Sequence, residues 1–460
     1  MKTAKTRTLA LPDVVLLFGG FWNGQLCSMK RLAVSGAIAF HVSASLFVFL
    51  IGHFVSLSQA FPDSARYQAQ ILIAAQIFRQ QGIAAWFFSL LPFHVKLYSL
   101  LFAILSGAKD VSLLWFEPLN VIFYLAILSL VFIICRRLFD KRAAFFAAIA
   151  VGVWPSFLLH TTQPLRDPMA ITLALLFLAI NSVWLVEEPP WRWAVAIIAL
   201  GLFTEVFLWL VKSEMWPVTI GTVCLTCALL LVKMALRRSF RAANLLAVLT
   251  LLIASVAIPP ALYRLDKPAR GWAVDRGVAN LYSNDADAAI MSAMMAYVPP
   301  RSSLVARTAT LRHRFILQYP EAGSNIDTDV EFQSLSDLIR YIPRAAAIGL
   351  LAPFPRMWFE RGTQNGRTGR IISGTETAIL YLIEALALVG LWRKRRDLLA
   401  WWLALVALGG CLALGLVVTN IGALYRMRYI FVIVLIIMAA EPLRLAVSYL
   451  IKATNQRPQA

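Results

Sequence analysis

Apolar runs of about 20 residues recur along this whole chain, and that repetition constrains its fold more than any other feature. A helix of that length crosses the ~30 Å hydrocarbon core of a bilayer with every backbone hydrogen bond made inside the segment. About ten such stretches are read, at 32–55, 112–135, 143–160, 168–186, 193–211, 216–235, 243–263, 373–392, 398–418 and 429–449. Composition agrees: 60% of residues are hydrophobic and 15% charged, with a mean hydropathy of +0.72, where a soluble domain carries about 25% charged residues. The predicted fold is an all-α, polytopic membrane helix bundle. Its 460 residues therefore need not form several soluble domains.

A net charge of +19 invites a nucleic-acid reading. The distribution argues against it, because the bases fall in short clusters between apolar runs, as cytoplasmic loops require. Lys30-Arg31, Arg136-Arg137 with Lys141-Arg142, Arg237-Arg238 with Arg241, and Arg393-Lys394-Arg395-Arg396 all fall on one side, which is cytoplasmic by that rule. Both termini are then cytoplasmic, and the basic N-terminus with short loops suggests a bacterial inner membrane. No cleavable leader is evident before the apolar run near Leu32. Five cysteines lie in or beside apolar segments. Cys224 and Cys227 form a CxxC inside a span with no second pair, so they read as small buried hydrophobes rather than a metal site.

This scheme divides the chain into an N-terminal membrane module, 1–263, a second outer loop, 264–372, and C-terminal helices, 373–460. The first outer loop, 56–111, lies within the module. The apolar stretch 83–107 is long enough to cross. Counting it as a span would put Arg136-Arg137 and Lys141-Arg142 outside, and Pro92, His94 and Lys96 interrupt it. It is read as outer-surface interfacial helices, and the short apolar piece 11–27 likewise. Residues 66–81 carry an amphipathic pattern, with Ile71, Leu72, Ala75 and Phe78 on one face. The stretch 338–360, with Pro343, Pro353 and Pro355, reads as a surface-lying helix and turn.

Charges at the outer ends of spans carry the functional signal, because charge near a membrane is costly. Asp63, Arg66 and Tyr67 follow the first span. His160, Gln163, Arg166 and Asp167 fill a short outer turn. Lys212 and Glu214 follow the fifth span, and Tyr425, Arg426 and Arg428 open the last. Cations outnumber carboxylates, which suits an anionic lipid headgroup: guanidinium binds phosphate bidentately and lysine binds it as a point charge. A single carboxylate could then serve as general base toward an acceptor hydroxyl. Hydrolysis of an ordinary glycoside needs a second carboxyl group to protonate the leaving oxygen. A phosphate leaves as a stable anion and needs only cations around it. Plainer readings stand beside these. Asp63 could N-cap a helix, Arg166 and Asp167 could be an exposed pair, and Arg426 and Arg428 could snorkel to headgroups. His94 and Lys96 could anchor an interfacial helix, His41 and His53 could be packed polar residues, and Glu205 either faces a polar cavity or pairs inside the bundle.

The ordered series of motifs resembles the integral-membrane glycosyltransferases of the C superfamily, especially the protein O-mannosyltransferase and lipid A aminoarabinose transferase branch. Phe61-Pro62-Asp63-Ser64-Ala65-Arg66-Tyr67 is similar to that family's Asp-Glu-x-Arg-Tyr pattern, with Ser64 in place of the second acid. The segment 94–107 resembles its Pro-Pro-Leu-Tyr-type helix, without the double proline. Arg136-Arg137-Leu138-Phe139, Trp154-Pro155, Arg166-Asp167-Pro168 and, more loosely, Val211-Lys212-Ser213 follow in order. Beyond about residue 240 the resemblance rests on topology, on Pro353-Phe354-Pro355 and on Tyr425-Arg426-Met427-Arg428-Tyr429.

The resemblance implies that Asp63 is the base and that Arg66, Lys212, Arg426 and Arg428 contact the donor phosphate. Tyr67, His94, Lys96, His160, Arg166, Asp167 and Glu214 are further candidates. The substrates implied are a polyprenyl-phosphate-linked sugar and an envelope glycan, lipid or protein acceptor, met on the non-cytoplasmic face. No cofactor is required; a divalent metal is possible but is not supported by Ser64. Two other readings stay open. One is an envelope polysaccharide polymerase or ligase with a pyrophosphate-linked donor, which Arg301, Arg307, Arg312 and Arg314 would serve. The other is a lipid or sugar transporter, although neither internal symmetry nor broken midplane helices are evident.

Overall fold

A computed structural model describes residues 28–54, 62–89, 91–105, 112–237, 242–275, 303–318, 320, 322–360 and 366–455. The expectations for 11–27, Phe61, 106–111, Arg238, Arg241, Arg301 and the side chains of Lys30, Arg31 and His53 lie outside that description. The described chain is helical. In order it forms α1 (Ser28–Phe54), α2 (Pro62–Phe88), α3 (Phe93–Leu105), α4 (Glu117–Leu138), α5 (Lys141–Gly152), α6 (Pro155–Thr161), α7 (Asp167–Val186) and α8 (Trp191–Lys212). Then come α9 (Trp216–Arg237), α10 (Ala242–Asp275), α11 (Leu304–Gln318), α12 (Leu335–Leu351), α13 (Gly366–Arg393), α14 (Leu398–Val417), α15 (Ile421–Met427) and α16 (Tyr429–Asn455).

Among the described residues, 8 segments are long and apolar enough to cross a membrane, and the bent pair α5–α6 makes a ninth. One segment, Trp191–Leu236, has 46 residues, about twice what a bilayer needs. It holds two helices, α8 and α9, that reverse direction against α7. Lys212 reaches Asp167 where α7 begins, and Lys233 reaches the Leu185 carbonyl where α7 ends. Counted as that hairpin, the spans match the ten read from sequence. The stretch read as one span at 143–160 is bent by 69°. Pro155 opens α6 at a position where a helix loses nothing by lacking an N–H.

Helix α7 is buried almost all round, as an evenly apolar helix must be. The main core gathers around it and α16, with Trp184, Trp402 and Phe431 fully enclosed. A second, smaller core belongs to the first loop: Ile71, Ala74, Trp86, Val95, Tyr98 and Phe102 of α2 and α3 pack with Phe116 and Leu165. Gly82, at φ 83°, breaks α2 where a side chain would be strained. The stretch read as surface-lying forms α12 and a 3-10 turn at Pro355–Trp358. A capping box at Ser334 and Asp337 starts α12, and the helix runs antiparallel along α14.

Among the described residues, the basic clusters at 136–142 and 393–396 lie together at one end. Arg137 pairs with Glu187, Arg393 with Glu441, and Lys394 lies over the Phe139 ring. The candidate residues occupy the other end.

Candidate active site

Four helix ends build the site, and each presents the charge its dipole favours. Asp63 lies in the first turn of α2 and Asp167 in the first turn of α7, where anions are stabilised. Lys212 lies in the last turn of α8 and Arg426 in the last turn of α15, where cations are. Asn420 fixes α15 by accepting the Ala423 N–H.

Arg426 is the centre. One guanidinium nitrogen donates to Asp63 Oδ2, and the other to Asp167 Oδ2 at 3.0 Å. Lys212 Nζ donates to the second Asp167 oxygen at 2.9 Å. Asp167 and Lys212 are almost fully buried, so this pair forms the floor. Arg166 donates to Glu214 at 2.9 Å beside it. Arg66 stands 3.7 Å from Asp63, with 52% of its side chain exposed against 40% for Asp63. The accessible rim is therefore Asp63 and Arg66. The plainer sequence readings of Asp63 as a cap and of Arg166 with Asp167 as an exposed pair do not describe these contacts.

The first loop's small core sets the rim in place. Leu165 belongs to it and immediately precedes Arg166. Tyr67 is buried, and His94 meets its ring edge-on at 4.6 Å. Burial drives the His94 imidazole down to about 3, with the Arg166 charge adding to it, so it is neutral at ordinary pH. Burial alone would raise the Asp63 carboxyl. The Arg426 charge and hydrogen bond, with Arg66 and Arg166, hold it below its ordinary value instead. Glu214 raises the basicity of Arg166. His160 Nδ1 meets the Ser156 carbonyl at 2.5 Å and lies within electrostatic reach of Arg426, Asp167 and Asp63.

None of the known family models matches this chain, and neither does any curated protein. Solved structures do match. The archaeal oligosaccharyltransferase AglB from Archaeoglobus fulgidus, in complex with an inhibitory peptide and a dolichol-phosphate, is 16% identical with a TM-score of 0.44, over 92% of this chain and 52% of that one. The apo form of the Archaeoglobus fulgidus oligosaccharyltransferase gives 14% and 0.43, over 90% and 52%. ArnT from Cupriavidus metallidurans, bound to undecaprenyl phosphate, is 15% identical with a TM-score of 0.34, over 88% of this chain and 78% of that one. The chain spans about half the length of the archaeal structures it matches. Likeness at this level leaves function to the site itself.

Two predicted residues point elsewhere. Arg428, 1% exposed, donates to the Leu350 carbonyl at 2.8 Å and the Gly349 carbonyl at 3.4 Å at the end of α12. Lys96 donates to the Phe87 carbonyl at 2.6 Å, closing α3 onto the end of α2. Arg312, in the late loop, is 3% exposed and donates to the Val330, Leu416 and Asp327 carbonyls.

The sequence reading missed Glu376, which accepts from the Ser156 N–H at 2.7 Å and from the Tyr425 hydroxyl. It thereby ties α13 and α6 to α15, one residue before Arg426. A lone carboxylate opening an apolar run was the available signal. Glu117 was also missed. His41 Nδ1 meets it at 2.7 Å and Ser45 donates to it at 2.5 Å, locking α1 to α4. Among the described residues no three His, Cys, Asp or Glu side chains come together as metal ligands.

Proposed function

We propose that this chain is a membrane glycosyltransferase that moves a sugar from a polyprenyl-phosphate donor to an envelope acceptor on the non-cytoplasmic face. The convergence of Asp63 with Arg66, Arg166, Lys212 and Arg426 carries this reading. Four cations face three carboxylates there, Asp63, Asp167 and Glu214. An incoming phosphate would meet a net positive site whose floor is already compensated.

The reaction is a direct displacement with inversion. The acceptor oxygen attacks the anomeric carbon, Asp63 takes its proton, and the bond from that carbon to the phosphate oxygen breaks. The polyprenyl phosphate departs as an anion beside Arg66 and Arg426. A carboxylate held below its ordinary pKa is a weak base. The same guanidinium that depresses Asp63 is the one a phosphate would recruit. Donor binding draws Arg426 toward phosphate and makes Asp63 more basic when the acceptor is in place. No metal takes part in this scheme, so chelator leaves transfer unchanged.

The decisive experiment is transfer from a polyprenyl-phosphate sugar by purified Asp63→Asn, scored for modified acceptor. We expect a loss of about 10²- to 10⁴-fold, the usual contribution of a positioned base. Transfer at the wild-type rate would end this mechanism. A polymerase on a pyrophosphate-linked donor has less support, because Arg312 is engaged by backbone carbonyls.

A further inference from the structure

At the basic end of the bundle, α5 and α16 part around an open cavity of about 380 Å³. It lies about 24 Å along α16 from Arg428, at ~1.5 Å per residue, roughly a hydrocarbon core away from the candidate active site. Its walls are Lys141, Arg142, Phe145, Phe146, Arg444 and Ser448. That volume falls within the ~300–1,000 Å³ of small-molecule sites.

The charge around this cavity is not compensated from within. Lys141 and Arg142 occupy the first turn of α5, where the helix dipole favours anions. The acid beside them is Asp140, which precedes Lys141. Its Oδ1 caps α5 by accepting the Ala143 N–H at 2.7 Å, and its Oδ2 stands 3.9 Å from Arg444, at the outer limit of ion-pair contact. Arg444 Nε is buried with no hydrogen-bond partner. Glu441, one turn earlier on α16, is paired with Arg393. Three cations thus line one cavity against one acid that is already engaged as a cap.

The surroundings are apolar and face outward. Phe145 is 48% exposed and Ile149 46%, one turn apart on α5 on the side of Lys141 and Arg142 that leads back toward the middle of the bundle. On a membrane-spanning bundle that surface is covered by acyl chains. A soluble anion would have no use for it.

We propose that this cavity binds the anionic headgroup of a phospholipid, its phosphate held among Lys141, Arg142 and Arg444. Its acyl chains run from there toward the middle of the bundle along the exposed face of α5 that carries Phe145 and Ile149. Basic pockets between membrane helices bind such headgroups by this chemistry.

The test is native mass spectrometry of the full chain purified in detergent, titrated with phosphatidylglycerol, with phosphatidylcholine, or with phosphatidylglycerol plus inorganic phosphate. Wild type is expected to retain phosphatidylglycerol in preference to phosphatidylcholine, and millimolar phosphate should not displace it. Each cation near a membrane surface contributes about fivefold in affinity. The K141Q/R142Q variant should therefore bind phosphatidylglycerol roughly 25-fold more weakly, and R396Q, an exposed cation outside the cavity, as wild type does. Equal binding of the two lipids by wild type, displacement by inorganic phosphate, or undiminished phosphatidylglycerol binding by K141Q/R142Q would each overturn the proposal. Lys141 and Arg142 are both exposed, so the variant should fold, and its thermal unfolding midpoint verifies that. Should it not fold, salt decides on wild type alone: retention of phosphatidylglycerol that does not weaken with salt counts against a charge-held headgroup.

Discussion

Asp63 and Asp167 share one guanidinium yet do different work. Asp167 has both oxygens engaged and almost no exposed surface. Asp167→Asn removes the carboxylate that pairs directly with buried Lys212, at a cost of about 3–5 kcal/mol. Thermal inactivation in detergent should show that loss, and Asp63→Asn, at the exposed rim, should show far less. His94 gives a pH prediction. Its imidazole titrates at 6.5 when free and at about 3 in the folded protein. The unfolded chain binds the extra proton first, so stability is full above pH 6.5 and falls as pH drops from 6.5 toward 3. His94→Gln should flatten that acid limb in a thermal melt from pH 7 to 4. At this scale the sequence was a partial guide. Arg426 and Arg428 sit in the same motif, two residues apart. One faces two carboxylates and the other two carbonyls because α15 ends between them. No pattern of residue types distinguishes those directions.

Elements were more legible, since a 20-residue apolar run has few alternatives to a helix. The bend between α5 and α6 was written in Trp154-Pro155, although the run on both sides of it reads as one span. What periodicity did not reveal is how closely helices approach. A Cβ on Gly415 would lie 2.0 Å from the Ala345 carbonyl oxygen, and one on Gly349 2.0 Å from that of Cys411. Helices α12 and α14 therefore pack backbone to backbone, as small residues allow in membranes. Gly415→Ala should force them apart and cost about 1–3 kcal/mol, read as a lowered unfolding midpoint. Arg428, which binds the end of α12, would feel the shift. Transfer activity should fall with stability in Gly415→Ala, and a matching substitution at Gly409, where space is open, should leave both unchanged.

At the scale of the whole molecule, the charges separate the two ends of the bundle. In a background without native cysteines, Ala69→Cys near the site and Arg396→Cys at the basic end are both exposed positions. An impermeant maleimide applied to intact cells should label the first and not the second. Labelling of Arg396→Cys alone would reverse the orientation read from the basic clusters. The sequence by itself determined the class of fold, because hydrocarbon length is a local property, and through loop charge it supplied the expectation of sidedness that this labelling tests. It also supplied the candidate residues, because charge at the end of a span is conspicuous against an apolar background. Only the tertiary structure decided which of them meet. Arg426 reaches Asp63 across 363 positions of chain, and that contact depends on the first loop's small core docking through Leu165 against the start of α7. Packing of this kind is a property of surfaces brought together by folding, so no window along the sequence contains it.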